Sequence, residues 1–174
     1  MKILITLITI TLSFSSFAKT IYTLEAGASV SMHLLADKKL SRSFENKLSD
    51  DGVFVLNKPM IKYSMLDHSQ GEYTKWTLFY ARDCVNSPVY GAVFSLGSYS
   101  SSRFHAGVAF GGYVMDKREW EKRGIPPPAS LIMPVIGGEV NITLLKIGSS
   151  VVNLNTYINP IIINTTLSFG FTFK

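Results

Sequence analysis

The last stretch of the chain alternates between apolar and polar residues. From Ile161 to Phe173 every second residue is apolar or threonine, and the residues between them are mostly small and polar. A period of two is that of a β-strand. The apolar face ends in Phe169, Phe171 and Phe173, and such a face beside a small polar one is expected to contact lipid. The pattern is typical of a transmembrane β-barrel.

The same alternation predicts seven further strands. The eight predicted strands are Tyr22 to Leu34, Val53 to Leu66, Tyr73 to Arg82, Val89 to Tyr99, Phe104 to Met115, Leu131 to Ile147, Val151 to Ile158 and Ile161 to Phe173. Pro59 predicts a bulge or interruption, because proline cannot donate to a ladder. An interruption of strand six is expected at Pro134 and Gly137-Gly138. Eight antiparallel strands close a sheet without edges, as lipid requires. The predicted fold class is all-β, an eight-stranded antiparallel transmembrane β-barrel of the outer membrane.

The connections predict how the barrel is oriented. Two polar segments, Ala36 to Gly52 and Asp116 to Pro128, are predicted as long loops, and most other connections are short. An even number of strands places both termini on the periplasmic side, so the long loops are expected outside. The inward positions of strand five are Gly107, Ala109 and Gly111, and these small residues predict space inside.

The N-terminal segment predicts secretion. Met1 to Ala18 has a lysine at position 2, an apolar run from Ile3 to Leu12 and small residues before its end, as signal peptides do. The run is shorter than the roughly 20 residues that a transmembrane helix needs. We therefore expect a signal peptide over 1–18, a barrel domain over 19–174, and localisation in the bacterial outer membrane. The alternative is an N-terminal membrane anchor.

Composition agrees with a barrel. Charged residues are 17% of the chain, against about 25% in soluble domains, and the apolar residues are dispersed in alternation. The net charge of +5 is explained equally well by binding to anionic surfaces and by an ordinary solvated surface. Nucleic-acid binding is not predicted, because the sequence has no basic cluster with interleaved aromatics. The one cysteine, Cys84, excludes an internal disulfide. A soluble lipocalin-like barrel is the competing interpretation, and it would turn the apolar face inward.

Candidate chemistry lies at the predicted outer rim. His33 is at the outer end of strand one, and Asp83 and Cys84 follow strand three. A histidine can act as a general base, a carboxylate can orient it, and a thiol can attack or donate a hydrogen bond. The alternative is that all three are solvated or packed rim residues.

These residues belong to a set of short motifs that occur in the same order in a known family. The motifs are Ser31-Met32-His33 with Asp37-Lys38, Arg82-Asp83-Cys84, Phe104-His105-Ala106-Gly107-Val108-Ala109-Phe110, Ile125-Pro126-Pro127-Pro128, and Thr156-Tyr157-Ile158. In this the chain resembles the outer-membrane lipid A palmitoyltransferases, the PagP family. Cys84 stands where that family has a serine.

The resemblance implies an enzyme and its site. It implies transfer of a palmitoyl-like acyl chain from a phospholipid to lipid A, without metal or cofactor, by a monomer whose partners are these lipids. His33 would be the base, Asp83 its orienting partner and Cys84 the serine equivalent. Gly91 and Val93 would bind substrate at the floor of the acyl pocket.

Two other functions remain open. One is a non-enzymatic barrel that binds a partner or surface through its extracellular loops, and the other is a lipid A deacylase. An enzyme predicts an open, apolar interior in the outer half of the barrel. A binding barrel predicts a filled interior laced with charges.

Overall fold

The described part of the protein consists of eight β-strands and one short helix. The computed structural model describes residues 19–33, 54–82, 87–122, 124, 132–160 and 162–174. The elements are β1 (Lys19–His33), β2 (Phe54–Ser69), β3 (Glu72–Arg82), β4 (Pro88–Ser101), β5 (Phe104–Met115), α1 (Arg118–Lys122), β6 (Ile132–Ile147), β7 (Ser150–Ile158) and β8 (Ile162–Phe173). The predicted signal peptide lies outside the described residues. Within the described part of the chain, no helix is long and apolar enough to cross a bilayer.

The strands form one closed antiparallel barrel. Each strand pairs with the next in sequence, and β1 pairs with β8 from Tyr22 opposite Phe173 to His33 opposite Ile162. The predicted fold class is confirmed. Both ends of the described chain lie at one end of the barrel, here called the turn end, because β2–β3, β4–β5 and β6–β7 are joined there by short turns. The opposite end, which carries the longer connections, is called the loop end.

The barrel is apolar outside and polar inside. Outward side chains such as Ile136, Leu78 and Leu167 are 70%, 57% and 53% exposed, whereas inward Ser29 and Ser31 are buried. Aromatic rings gather near both ends: Tyr22 stacks on Phe173 at the turn end, and Tyr80 contacts Tyr90 near the loop end. An apolar belt between aromatic girdles is the surface of a membrane barrel. The soluble lipocalin-like interpretation is therefore wrong, because it requires the opposite polarity.

The turn after β2 is shorter than predicted. The polar stretch Asp67 to Glu72 is expected to be a turn, but β2 continues to Ser69 and the turn is only Gln70-Gly71. Both turn residues have positive φ, 48° and 87°. Two-residue hairpin turns with positive φ match the twist of the flanking strands, so the ladder extends up to them.

Pro59 and Pro134 have different effects on the pairing of their strands. The predicted bulge at Pro59 is confirmed, since the β1–β2 register shifts between Gly27 and Ser29, which pair with Met60 and Asn57. The interruption predicted at Pro134 and at Gly137-Gly138 is wrong, because β6 pairs with β5 without a break from Ile132 onward. The β6–β7 pairing begins only at Gly138. Pro134 therefore lies where β6 has one neighbour, and its missing N–H costs little there.

The apolar belt predicts a position-dependent cost for a charge. Leu167 lies midway along β8 and Ile147 ends β6, and both point outward. We expect Leu167→Arg to lower the free energy of unfolding in lipid bilayers by about 2–4 kcal/mol, and Ile147→Arg by about 0–1 kcal/mol. Urea titration of the refolded barrel measures both, and equal costs at the two positions would contradict a bilayer-spanning belt.

Candidate functional site

A buried ion pair crosses the middle of the lumen. Lys75 of β3 pairs with Glu139 of β6, and their residues are 8% and 6% exposed. Ser95 of β4 also donates to the Glu139 carboxylate, and the Asn155 amide of β7 donates to it at 2.7 Å. One carboxylate thus accepts hydrogen bonds from three other strands, which satisfies its charge inside the barrel.

A second ion pair lies on the other side of the lumen. The Lys62 ammonium of β2 is 2.5 Å from the Glu25 carboxylate of β1. Asn153 of β7 also donates to this carboxylate, and the Ser168 hydroxyl of β8 does so at 3.3 Å. The hydroxyl of Thr143 on β6 donates to the Asn153 side chain at 2.8 Å. Together the two networks include every strand except β5.

The small inward residues are explained by these long side chains. Glu139 is the cross-strand partner of Gly107, and Lys75 is the partner of Ser95. The prediction that small inward residues leave space inside is therefore wrong at this level of the barrel. Gly107, Ser95 and Gly170 are small where the charged side chains of their cross-strand partners occupy the adjacent volume.

Apolar side chains lie among polar ones in the loop-end half of the lumen. Val89 and Met115 face inward and are buried. Gly91 also faces inward, but a Cβ atom there would overlap the ring of Phe79. Val93 lies one inward position further along β4, opposite Thr77 of β3 and Gly111 of β5. The two residues predicted to bind substrate therefore line this half of the lumen, and Phe79 covers one of them.

A groove lies on the outer wall beside this position. Its volume is about 420 Å³, and it is bordered by the outward residues Tyr90, Ala92, Gly112, Val114 and Ile132. Ala92 and Gly112 are direct cross-strand partners, so two small side chains leave a gap in the apolar belt. Gly91 and Tyr113 also line the groove, so it reaches the wall at one of the two residues predicted to bind substrate.

The predicted catalytic residues lie at or beyond strand ends. His33 is the last residue of β1, and Arg82, which precedes Asp83, is the last residue of β3. Both strand ends are at the loop end, as predicted. Asp83, Cys84 and the His33 side chain lie outside the described residues, so their close approach stays a prediction. Among the residues that are described, no group of three or more His, Cys, Asp or Glu is arranged to hold a metal ion.

The loop after β5 is tied to the barrel rim. The buried Ser87 hydroxyl donates to the Asp116 carbonyl, and the Asp116 N–H donates to Pro88 at 3.1 Å. The Asp116 carboxylate accepts the Arg118 backbone N–H at 3.0 Å and its guanidinium at 2.7 Å, next to α1. Hydrogen bonding to Arg118 lowers the pKa of Asp116. Because the charged form is favoured, this tie persists at mildly acidic pH and is lost only as the pH falls through the lowered pKa.

Comparisons with known proteins support the fold. No family model and no curated protein sequence matches the chain. The crystal structure of Neisserial surface protein A (NspA) matches with a TM-score of 0.50 and 11% identity, over 90% of this chain and 98% of that one. A designed transmembrane β-barrel matches with a TM-score of 0.48 and 8% identity, over 87% and 95%. The attachment invasion locus protein Ail of Yersinia pestis, bound to the heparin analogue sucrose octasulfate, matches with a TM-score of 0.43 and 7% identity, over 89% and 99%.

This chain is similar in fold to NspA, a small barrel. At 11% identity the likeness shows the fold alone. The resemblance to the lipid A palmitoyltransferases rests on the short sequence motifs.

The ion pairs are the feature that sequence reasoning missed, although a signal for them was present. Glu25, Lys62, Lys75 and Glu139 all occupy inward positions of the period-two pattern, with two charges of each sign. Inward charges of opposite sign in a closed barrel must find partners, since an unpaired buried charge is costly. Which strands would share a pair depends on side-chain reach across the lumen, which alternation does not reveal.

The central ion pair predicts a non-additive cost. Glu139→Ala leaves Lys75 buried without its partner and should lower the free energy of unfolding by about 3–5 kcal/mol. Adding Lys75→Met removes the stranded charge and should restore most of that stability. A double-mutant cycle by urea unfolding measures this coupling, and strictly additive losses would show that the pair does not form.

Proposed function

We propose that this protein is a small bacterial outer-membrane barrel without enzymatic activity, and that it binds a partner at the cell surface through its loop-end segments. The observation that carries the proposal is the filled lumen. Two ion-pair networks occupy its middle, and apolar side chains including Phe79 occupy its loop-end half. A filled lumen is what a binding barrel predicts, because recognition is then confined to the loops.

The composition of the loop-end segments supports recognition there. Segments 34–53 and 116–131 contain eight of the 17 Lys and Arg residues and seven of the 12 Asp and Glu residues of the chain, together with Trp120. Charged side chains are thus concentrated in the segments that follow the loop-end strand ends. The charges nearly balance, which suits the mixed surface of a protein better than a uniformly anionic polymer.

The rim contacts support the same function. The connection between β5 and β6 is held at its start against the adjacent ends of β4 and β5. The residues that hold it are Ser87, Asp116 and Arg118. A loop held at its base loses less conformational freedom on binding than a free one, and this favours affinity. The barrel would then act as a rigid support for a binding surface.

Loop replacement tests the binding function. Cells that display the wild-type barrel should bind a partner surface, such as host epithelial cells or their matrix proteins. Variants with 34–53 or 117–131 replaced by Gly/Ser linkers of equal length should lose that binding while the barrel still migrates as a folded species on unheated gels. A matched control replaces the turn-end pair Gly148-Ser149 with Asn-Gly and should bind normally. Unchanged binding after both loop replacements would contradict the proposal.

Acyl transfer to lipid A is the second candidate. The apolar lining of the loop-end half at Val89, Val93 and Met115 favours it, as do the motifs that place His33 and Asp83 at strand ends. By that resemblance His33 is the base, Asp83 orients it and Cys84 replaces a serine.

Mass spectrometry of lipid A separates the two candidates. The binding function predicts identical lipid A in cells with and without the protein. Acyl transfer predicts one added acyl chain, and its rate should fall about 10²–10⁴-fold in His33→Ala because general acid–base groups contribute that much. In that case Cys84→Ser should retain activity. A lost acyl chain would instead indicate a deacylase.

A further inference from the structure

Two histidines on non-adjacent strands meet inside the barrel at the turn end. His68 of β2 and His105 of β5 place their Nε2 atoms 2.6 Å apart. The rings are nearly parallel, with 5° between their planes and 4.9 Å between their centroids. Strands β3 and β4 lie between β2 and β5 in the sheet, so this contact links parts of the wall that share no backbone ladder.

Aromatic rings enclose the pair. Tyr73 of β3 meets His105 edge-on at 5.3 Å, and Tyr99 of β4 lies 4.5 Å from His68 and 6.0 Å from His105. Tyr73 and His105 are only 3% and 6% exposed. The enclosure leaves little room for water to separate the rings.

The charged residues around the pair lie on three other strands. Lys19 of β1 is the cross-strand partner of His68. Lys75 of β3 and Glu139 of β6 act on His105 electrostatically, but they are paired with each other. Asn141 of β6, the cross-strand partner of His105, is neutral. The acidic residues near the ends of β2 and β3, Asp67 and Glu72, alternate with inward residues and lie on the outward face. The protonation of His105 therefore depends on its burial first, and then on the neighbouring imidazole and these charges.

The nitrogen–nitrogen contact has room for one proton. A neutral imidazole has one N–H and one acceptor nitrogen, so two rings in complementary tautomers form one N–H···N hydrogen bond. A second proton on the contact would set two N–H groups and two positive charges against each other. The geometry observed at 2.6 Å is compatible with one shared proton and incompatible with two.

We propose that His68 and His105 form an acid-released latch, which ties β2 to β5 across the turn end of the lumen at neutral pH and separates when both rings are protonated. This goes beyond the proposed binding function and does not depend on it. Separated rings, in an opened or unfolded barrel, bind more protons than the closed pair. Stability therefore falls as the pH falls through the imidazole range.

The thermal stability of the full chain at two pH values tests the latch. The probe is the temperature at which the refolded barrel loses its fast-migrating band, measured at about pH 7.5 and about pH 5.5, which bracket the ordinary imidazole pKa of about 6.5. The unfolding temperature of the wild-type barrel should fall by several degrees on acidification. His68→Gln and His105→Gln should lose clearly less, because an amide can donate to or accept from the remaining ring without becoming charged.

The third histidine provides the matched control. His33→Gln removes a titrating ring at the opposite end of the barrel and should keep the wild-type loss on acidification. The ion pairs and the Asp116–Arg118 contact depend on carboxylates. These remain charged between about pH 5.5 and about pH 7.5, so they should not cause the loss of stability. If acidification lowers the unfolding temperature of His68→Gln and of His105→Gln as much as that of wild type, the proposal is overturned.

Ring-nitrogen NMR provides a readout that does not require the variants to fold. In wild type, the His68 and His105 rings should titrate as a coupled pair in two separated steps. Where a pair variant folds, its remaining ring should titrate in one step. Two independent and superimposable titrations in wild type would overturn the latch.

Discussion

The backbone ladder between β1 and β8 is the constraint on which the rest of the structure depends. Without that pairing, both strands would present unpaired N–H and C=O groups to lipid, where each costs several kcal/mol. Closing the sheet over twelve residue pairs, from Tyr22 opposite Phe173 to His33 opposite Ile162, removes both edges. Closure also separates the side chains into an outward set and an inward set, and every other property of the molecule follows from that division.

Closure makes the lumen a small compartment in which charges must be satisfied locally. Lysines and glutamates in equal number meet there, and hydroxyl and amide side chains from neighbouring strands complete their hydrogen bonds. The Lys75–Glu139 pair connects β3 and β6, which share no ladder, so it holds opposite parts of the wall together from inside. The same filling restricts what the lumen can admit, and it is the reason for assigning function to the loops.

The sequence predicted the strands of the barrel much better than the side-chain contacts inside it. The alternation from Ile161 to Phe173 correctly predicted which side chains of β8 face outward, and Pro59 correctly predicted a bulge. Both effects are local properties of a strand. Pro134 was misjudged, since the cost of a missing N–H depends on how far the neighbouring strand extends. The pairing of Lys75 with Glu139 and of His68 with His105 depends on reach across the barrel, which no local pattern encodes.

The candidate site was predicted only in part. The pattern places His33 and the residue before Asp83 at the loop end, as the structure does, because strand direction alternates along the chain. Whether Gly91 opens a pocket could not be read from β4 alone. Phe79 on the adjacent strand covers that position, and its ring direction depends on packing across the lumen.

The central claim is that the lumen is filled, and thiol accessibility tests it most directly. Ser95 is fully buried beside Glu139, whereas Ser102 lies in an exposed turn. In a Cys84→Ser background, Ser95→Cys should resist a small water-soluble thiol reagent in the folded barrel and react once the barrel is unfolded, while Ser102→Cys should react in both states. Rapid labelling of Ser95→Cys in the folded barrel would reveal an open lumen and would contradict the account.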